Sequence, residues 1–184
     1  MRILMLGNSF TFYNDMPDML AKLTGAEVIA HTRGGARLAE QLNPDTKMGA
    51  STREALENEK WDYVVLQEMS NGPIVSKESF LKSVARLCEK IRSAGAVPVL
   101  YATWAYKKGS DKMVAMDMSY EEMYHAMYIA YHEAAESNQV LIADVGKAFY
   151  ERSRKQNLYA EDGYHPNEDG SRIAAGVLAD IIMG

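Results

Sequence analysis

Arg2-Ile3-Leu4-Met5-Leu6-Gly7-Asn8-Ser9 opens the chain as a short apolar run that stops at a turn. An unbroken hydrophobic run, without polar alternation, suits a strand of a parallel sheet covered on both faces. The same pattern recurs along the chain. Arg2–Gly7 is read as the first strand, followed by Glu27–Thr32, Tyr63–Gln67, Val97–Ala102 and Val140–Ala143. Helical patterns fall between them. Phe80, Val84, Leu87, Cys88 and Ile91 repeat at three and four residues and form one apolar stripe that stops before Gly95. Ser119-Tyr120-Glu121-Glu122 is a capping box that opens a helix carrying Met123, Met127, Ala130, Tyr131 and Ala134. A last helix carries Ile173, Val177, Leu178 and Ile181 behind Asn167 as its cap, and an early one runs from about Pro17 to Leu23.

Strands alternating with helices predict an α/β fold. The expected architecture is a three-layer α/β/α, flavodoxin-like, doubly wound parallel sheet of five strands, with residues 1–184 as a single domain. Lys107–Asp117 is polar and reads as a long loop beside the C-terminal edge of the sheet. In such folds the functional groups gather where the strands end. The residues found there are Asn8-Ser9, Gly34-Gly35, Gln67-Glu68 and Thr103-Trp104.

Composition excludes several classes of function. The 184 residues carry a net charge of -5, with 47% hydrophobic and 24% charged residues, which is neither disordered nor a phosphate-tracking nucleic-acid binder. One cysteine, Cys88, leaves no internal disulfide and no multi-cysteine metal site. It lies in an apolar stripe and reads as a small buried hydrophobe. The sequence has no run of 18 apolar residues to span a membrane. Met1-Arg2 leads straight into a strand too short for a signal-peptide core, so the expected location is cytoplasmic.

Ser9 stands at a strand-to-helix turn, where backbone N–H groups at the start of the helix can hold negative charge. A serine there also serves as a helix cap or a phosphate cradle. Among the histidines, His31 lies within a strand, and His125 and His132 lie seven apart on a helix, a poor chelating spacing. His165 differs. It stands in the loop Asp162-Gly163-Tyr164-His165-Pro166-Asn167, and Pro166 restricts it to extended backbone. Asp162, three residues earlier, can reach the imidazole Nδ1 through a local turn and leave Nε2 pointing outward. An Asx turn beside a surface histidine is the plainer reading of the same residues.

Gly7-Asn8-Ser9-Phe10 resembles the first block of the SGNH (GDSL-like) hydrolases, with Asn in place of Asp. Asp162-Gly163-Tyr164-His165-Pro166 resembles the last block of that superfamily, which supplies both Asp and His ahead of a final helix. The resemblance spans nearly the whole chain. It implies a serine esterase with Ser9, Asp162 and His165 as catalytic residues. It also implies an oxyanion hole formed by the Ser9 N–H, Gly35 and a third-block amide, with Gly34 one residue from the second-block match.

The third block departs from the family pattern, because no Gly-x-Asn-Asp follows the third strand. Gln67 resembles the Gln of the Gln-Gly-Glu block in the carbohydrate acetylesterase branch and is the favoured donor. Asn71 aligns with the usual Asn when the strands are matched by Val64-Val65. Leu66–Ser70, with Thr103–Tyr106, is similar to a bacterial branch of the SGNH hydrolases.

Phe10, Trp104 and Tyr164 are expected to bind substrate, with Phe12, Tyr13 and Tyr106 as further candidate walls. The implied partner is a small ester, a short acyl group on a carbohydrate being favoured. No metal or organic cofactor is required. A carbohydrate-binding relative without turnover and a flavodoxin-like FMN-binding protein, using Ser9 and Thr11 as its phosphate loop, are the competing readings.

Overall fold

A computed structural model describes residues 1–184. Strand β1 (Arg2–Gly7) leads through the single turn α1 (Ser9–Phe12) and a 3-10 turn at Tyr13–Asp15 into α2 (Met16–Thr24). Then come β2 (Glu27–Thr32), α3 (Leu38–Gln41), α4 (Lys47–Asn58) and β3 (Tyr63–Leu66). The chain continues with α5 (Gly72–Val75), α6 (Lys77–Ser93), β4 (Val97–Ala102), α7 (Asp111–Val114) and α8 (Tyr120–Asn138). It ends with β5 (Leu141–Asp144), α9 (Val145–Arg152) and α10 (Glu168–Met183).

The five strands form one parallel sheet in the order β2-β1-β3-β4-β5. Leu6 pairs with His31 of β2 on one side and Leu66 of β3 on the other, and Ala102 of β4 pairs with Asp144 of β5. This is the predicted three-layer α/β/α, doubly wound sheet. Helices α2 and α10 pack together on one face, and α6 and α8 pack together on the other. The chain runs outward in opposite directions from β1 and β3, so the crevice at their C-terminal ends is the topological switch point. Ser9 follows β1 into that crevice, and Gln67 follows β3.

Burial explains the apolar runs. Ile3–Leu6 of β1 and Val64–Leu66 of β3 are fully buried, whereas β2 and β5, at the sheet edges, are partly open. Burying each such side chain contributes about 1.5–3 kcal/mol, so the central strands are the most strongly specified. The apolar stripe of α6 faces this core, including Cys88, whose thiol burial pushes up to about 11. Both expected caps form. Ser119 and Glu122 make the reciprocal capping box of α8, and the Asn167 side chain accepts from the N–H of Gly170 at the start of α10.

Several elements differ from the sequence expectation, the single turns α3 and α5 among them. The loop Lys107–Asp117 contains the single turn α7, capped by Ser110. Helices α4 and α9 were not marked by a clear apolar stripe. α4 buries mainly small groups, Gly49, Thr52 and Ala55, with Leu56, and α9 buries Val145, Gly146 and Phe149. No helix is long and apolar enough to cross a membrane.

Candidate active site

Close packing at the end of β1 dictates a glycine. A Cβ on Gly7 would lie 2.5 Å from Thr11 Oγ1 and 2.7 Å from Gln67 Oε1. Asn8 then turns the chain. Its Oδ1 accepts from the N–H of Phe10 at 3.1 Å, capping α1, and its Nδ2 donates to the carbonyl of Ala36 at 2.9 Å. Ser9 is therefore the first residue of α1, where helical geometry gives its N–H no intrahelical partner.

The other half of the site is a compact loop ahead of α10. Tyr159 and Pro166 form an antiparallel bridge, and the N–H of Ala160 donates to the carbonyl of His165 at 2.9 Å. Asp162 organises the turn inside this bridge. Its Oδ1 accepts from the backbone N–H groups of Tyr164 and His165, both at 3.0 Å. That leaves Oδ2 for the His165 imidazole, 2.6 Å from Nδ1. The Asx turn and the Asp–His pair thus form together on one carboxylate. Gly163 has a φ of 73°, and its carbonyl accepts from the N–H of Lys107 at 2.7 Å. The Trp104 indole N–H supports the loop from below by donating to the carbonyl of Tyr164 at 3.0 Å.

The two halves meet across 156 residues of sequence, with His165 Nε2 2.8 Å from Ser9 Oγ. Ser9, His165 and Asp162 therefore form one continuous hydrogen-bonded line. The imidazole is buried, and Ser9 is half-buried at the mouth. Partial burial pushes the Asp162 carboxyl up. The His165 imidazole and the N–H groups of Tyr164 and His165 outweigh that and hold it below the usual carboxylate range. An ionised carboxylate on Nδ1–H fixes the tautomer that leaves Nε2 as the acceptor facing Ser9.

A family model described as a domain of unknown function (DUF4886) matches residues 41–179. A solved structure from Slackia heliotrinireducens, provisionally assigned to the SGNH hydrolases, is 54% identical, with a TM-score of 0.96, covering 100% of this chain and 99% of that one. The chain belongs to the SGNH hydrolases and to the DUF4886 family. A DUF4886 protein from Bacteroides uniformis shares the fold at 22% identity and a TM-score of 0.77, covering 99% of this chain and 82% of that one. Axe2, an acetylxylan esterase from Geobacillus stearothermophilus, shares the fold at 15% identity and a TM-score of 0.72, covering 98% and 93%. None of the curated proteins matches.

The third block of this SGNH hydrolase is built differently from the sequence expectation. Gln67 is buried, with 1% of its surface exposed. Its Oε1 accepts from the N–H of Asn8 at 2.9 Å and from the Thr11 hydroxyl at 3.0 Å, and its Nε2 donates to the carbonyl of Glu68. The amide oxygen thus holds the strand ends together and one Nε2 hydrogen goes to the Glu68 carbonyl, which counts against Gln67 as the favoured oxyanion donor. Asn71, the other candidate, is half-buried at the start of α5, and its Nδ2 meets only the weakly accepting Met116 sulfur at 3.5 Å. Gly35 lies in an exposed turn closed by the N–H of Ala36 donating to the carbonyl of Arg33. The Asn8–Ala36 hydrogen bond ties that turn to the Ser9 turn.

Of the three expected substrate-binding residues, Phe10 and Trp104 are corrected and Tyr164 is not. Phe10 and Trp104 are buried, their rings stacked at 4.6 Å, and Trp104 stacks in turn on Phe149 at 4.1 Å. This column is core beneath the site and offers no surface to a ligand. Tyr164 is half-buried beside His165, with Lys112 Nζ 5.0 Å over its ring. Tyr106 stands edge-on to Tyr164, and its hydroxyl bonds Ser70 at 2.8 Å. Tyr13, marked as a wall, lies flat on the imidazole instead. It precedes two left-handed residues, Asn14 and Asp15, each at a φ of 54°. Such a conformation costs about 1–2 kcal/mol for an L residue, least for Asn and Asp, and the pattern Tyr-Asn-Asp carried that signal in the sequence.

A groove of about 1000 Å³ lies between α4 and α6, lined by residues such as Thr52, Arg53, Glu57 and Arg86. None of Ser9, Asp162 and His165 lines it. The Ser9–His165–Asp162 line lies apart from it, at the switch point.

Proposed function

We propose that this SGNH hydrolase is a serine esterase acting on short-chain carboxylic esters, with an O-acetylated carbohydrate as the favoured substrate class. The observation that carries the reading is the Ser9–His165–Asp162 line, with separations of 2.8 and 2.6 Å. Ser9 Oγ attacks the ester carbonyl while His165 Nε2 takes its proton, and Asp162 stabilises the imidazolium that forms. The tetrahedral oxyanion is held by the N–H groups of Ser9 and Gly35 and by the Asn71 amide. His165 then protonates the leaving alcohol, the carbonyl re-forms, and Ser9 is left acylated. Water then attacks the acyl carbonyl while His165 takes its proton, and His165 returns that proton to Ser9 Oγ as the acyl–oxygen bond breaks and the acid leaves. Every proton is carried by the chain's own residues.

The acyl preference rests on the cleft. Half-buried Tyr164, backed by the buried Tyr106 and its Ser70 partner, stands beside His165, which suits a small acyl group. Exposed and half-buried rings at the mouth, Phe12 and Tyr164, suit a sugar face. The acetylxylan esterase Axe2, of the same fold, lends support to this choice.

The test is hydrolysis of 4-nitrophenyl esters of increasing chain length, alongside acetylated sugars. Acetate is expected to turn over faster than octanoate, and Ser9→Ala to lose at least about 10³-fold in kcat. Undiminished turnover in Ser9→Ala would overturn the mechanism, and a preference for octanoate would overturn the substrate class.

A further inference from the structure

Tyr13 and Asn14 lie outside the Ser9–His165–Asp162 line and just beyond the first sequence block. We propose that Tyr13 is a positioning residue for the His165 imidazole, clamped there by the left-handed turn at Asn14. The inference rests on the esterase reading above for its catalytic consequence, but its geometry stands apart from it.

The Tyr13 and His165 rings are stacked with centroids 4.1 Å apart and planes 2° from parallel. Tyr164 approaches the same imidazole at 4.1 Å with a 38° tilt, and Phe10 presents an edge-on contact at 5.7 Å. Aromatic rings therefore confine the imidazole, while its two nitrogens reach Ser9 and Asp162. Rotation of the imidazole about its bond to Cβ would drive it into the Tyr13 ring. The stack thus keeps Nε2 aimed at the serine hydroxyl.

The turn after Tyr13 makes the stack a built feature. Asn14 (φ 54°, ψ 30°) and Asp15 (φ 54°, ψ 39°) are both left-handed. A backbone of this kind persists only where surrounding contacts hold it. The Asn14 Nδ2 group donates to the carbonyl of Pro166 at 3.0 Å and to Ser171 Oγ at 2.9 Å. The Ser171 hydroxyl in turn donates to the carbonyl of Tyr13 at 3.3 Å. One amide therefore joins the residue after His165 to α10, and the buried Ser171 joins α10 to Tyr13 itself. The strained turn, the amide and the hydroxyl close a loop of contacts with the imidazole inside it.

Such a clamp acts on the reaction in two ways. It keeps the imidazole in attack geometry between turnovers, where small misplacements are costly. It also presents a π face to the ring during the step in which the ring carries positive charge. The ring of Tyr13 faces the imidazole, so the ring and not the hydroxyl is the working part.

The test uses Tyr13→Leu, Tyr13→Phe and Asn14→Gly in the full chain. Steady-state hydrolysis of 4-nitrophenyl acetate gives kcat and KM. Proton NMR of the low-field Nδ1–H in the His165–Asp162 hydrogen bond reports imidazole order without substrate. Tyr13→Leu is expected to lower kcat by about tenfold, leave KM within about twofold, and broaden the Nδ1–H signal by exchange. Tyr13→Phe should restore both readouts. Asn14→Gly tolerates the left-handed backbone but lacks the amide, and should behave as Tyr13→Leu does. Wild-type kcat and a sharp Nδ1–H signal in Tyr13→Leu would overturn the proposal, as would a loss that Tyr13→Phe shares. Should the wild-type protein hydrolyse no ester, the esterase reading falls alone, and the Nδ1–H signal still decides the clamp.

Discussion

The backbone N–H of Asn8 donates to Oε1 of Gln67 at 2.9 Å, joining the C-terminal ends of β1 and β3 at the switch point. The same oxygen takes the Thr11 hydroxyl at 3.0 Å. Gln67 thus sets the position of the turn that presents Ser9. Its loss leaves a buried N–H and a buried hydroxyl without partners, at about 1–3 kcal/mol each. Gln67→Leu is therefore expected to lower the stability measured by urea unfolding by several kcal/mol. Asn71→Ala, which removes an amide bonded only to a sulfur, should leave stability within about 1 kcal/mol and lower kcat by about 10²-fold. A stable but inactive Gln67→Leu beside a fully active Asn71→Ala would return the oxyanion role to Gln67.

Asp162 carries two duties on separate oxygens, and one substitution separates them. Asn retains an oxygen for the N–H groups of Tyr164 and His165, so the turn should persist. Its NH2 group then faces Nδ1 and makes that nitrogen an acceptor, which puts the proton on Nε2 opposite Ser9. Asp162→Asn is expected to keep its melting temperature within a few degrees while kcat falls by about 10³-fold or more. Comparable activity in the two proteins would mean that the carboxylate does not set the tautomer.

The sheet was readable because its signal is local: Ile3–Leu6 and Val64–Leu66 are unbroken apolar runs, and unbroken burial is what a central parallel strand requires. The Ser9, Asp162 and His165 set was readable only as a pair of blocks at opposite ends of the chain. No spacing rule links residues 156 apart. Helix α4 escaped because its buried positions are filled by Gly49, Thr52 and Ala55, which carry little hydrophobic contrast. The sequence does not show that Gln67 and Trp104 turn inward, for one reason. Polar and aromatic residues at strand ends serve as core as readily as cleft, and the sequence does not say which way a side chain turns. Asn14 left a trace, since Asn-Asp is a pair that accepts left-handed backbone, but its partners Pro166 and Ser171 are far away in sequence.

Glu68 gives the protein a pH dependence whose sign follows from its surroundings. Burial pushes its carboxyl up from the ordinary 4.5, and this outweighs the N–H groups of Met69 and Leu38 and the nearby Arg37 charge. The folded state therefore holds this proton to higher pH than the unfolded chain does. Between 4.5 and the raised folded value, native Glu68 binds more proton than unfolded Glu68, so stability falls as pH rises through that window. Glu68→Gln removes the titration. The melting temperature of the wild-type protein relative to Glu68→Gln is expected to be highest at the acidic end and to decline as pH rises. A difference that stays constant, or grows with pH, would show that Glu68 is not the group responsible.

Gly163 couples the geometry of the Asp–His loop to the loop after β4. Its φ of 73° already disfavours any side chain, and a Cβ there would lie 2.4 Å from Cβ of Ser110. Its carbonyl also accepts from the Lys107 N–H, so it cannot move away without breaking a hydrogen bond of 2.7 Å. Gly163→Ala therefore meets two separate obstacles, a backbone one of about 1–2 kcal/mol and a steric one set by Ser110. Ser110→Gly removes the steric obstacle, together with the hydroxyl that caps α7, so the single Ser110→Gly variant is the reference for the pair. Gly163→Ala should lose activity more steeply than stability, because a displaced loop carries Asp162 and His165 away from Ser9, where a shift of about 1 Å can cost 10²-fold in rate. The double variant should recover part of that rate while keeping the backbone cost in urea unfolding. Full recovery of both would place the whole effect in the Ser110 contact. No recovery of either would place it in the left-handed backbone.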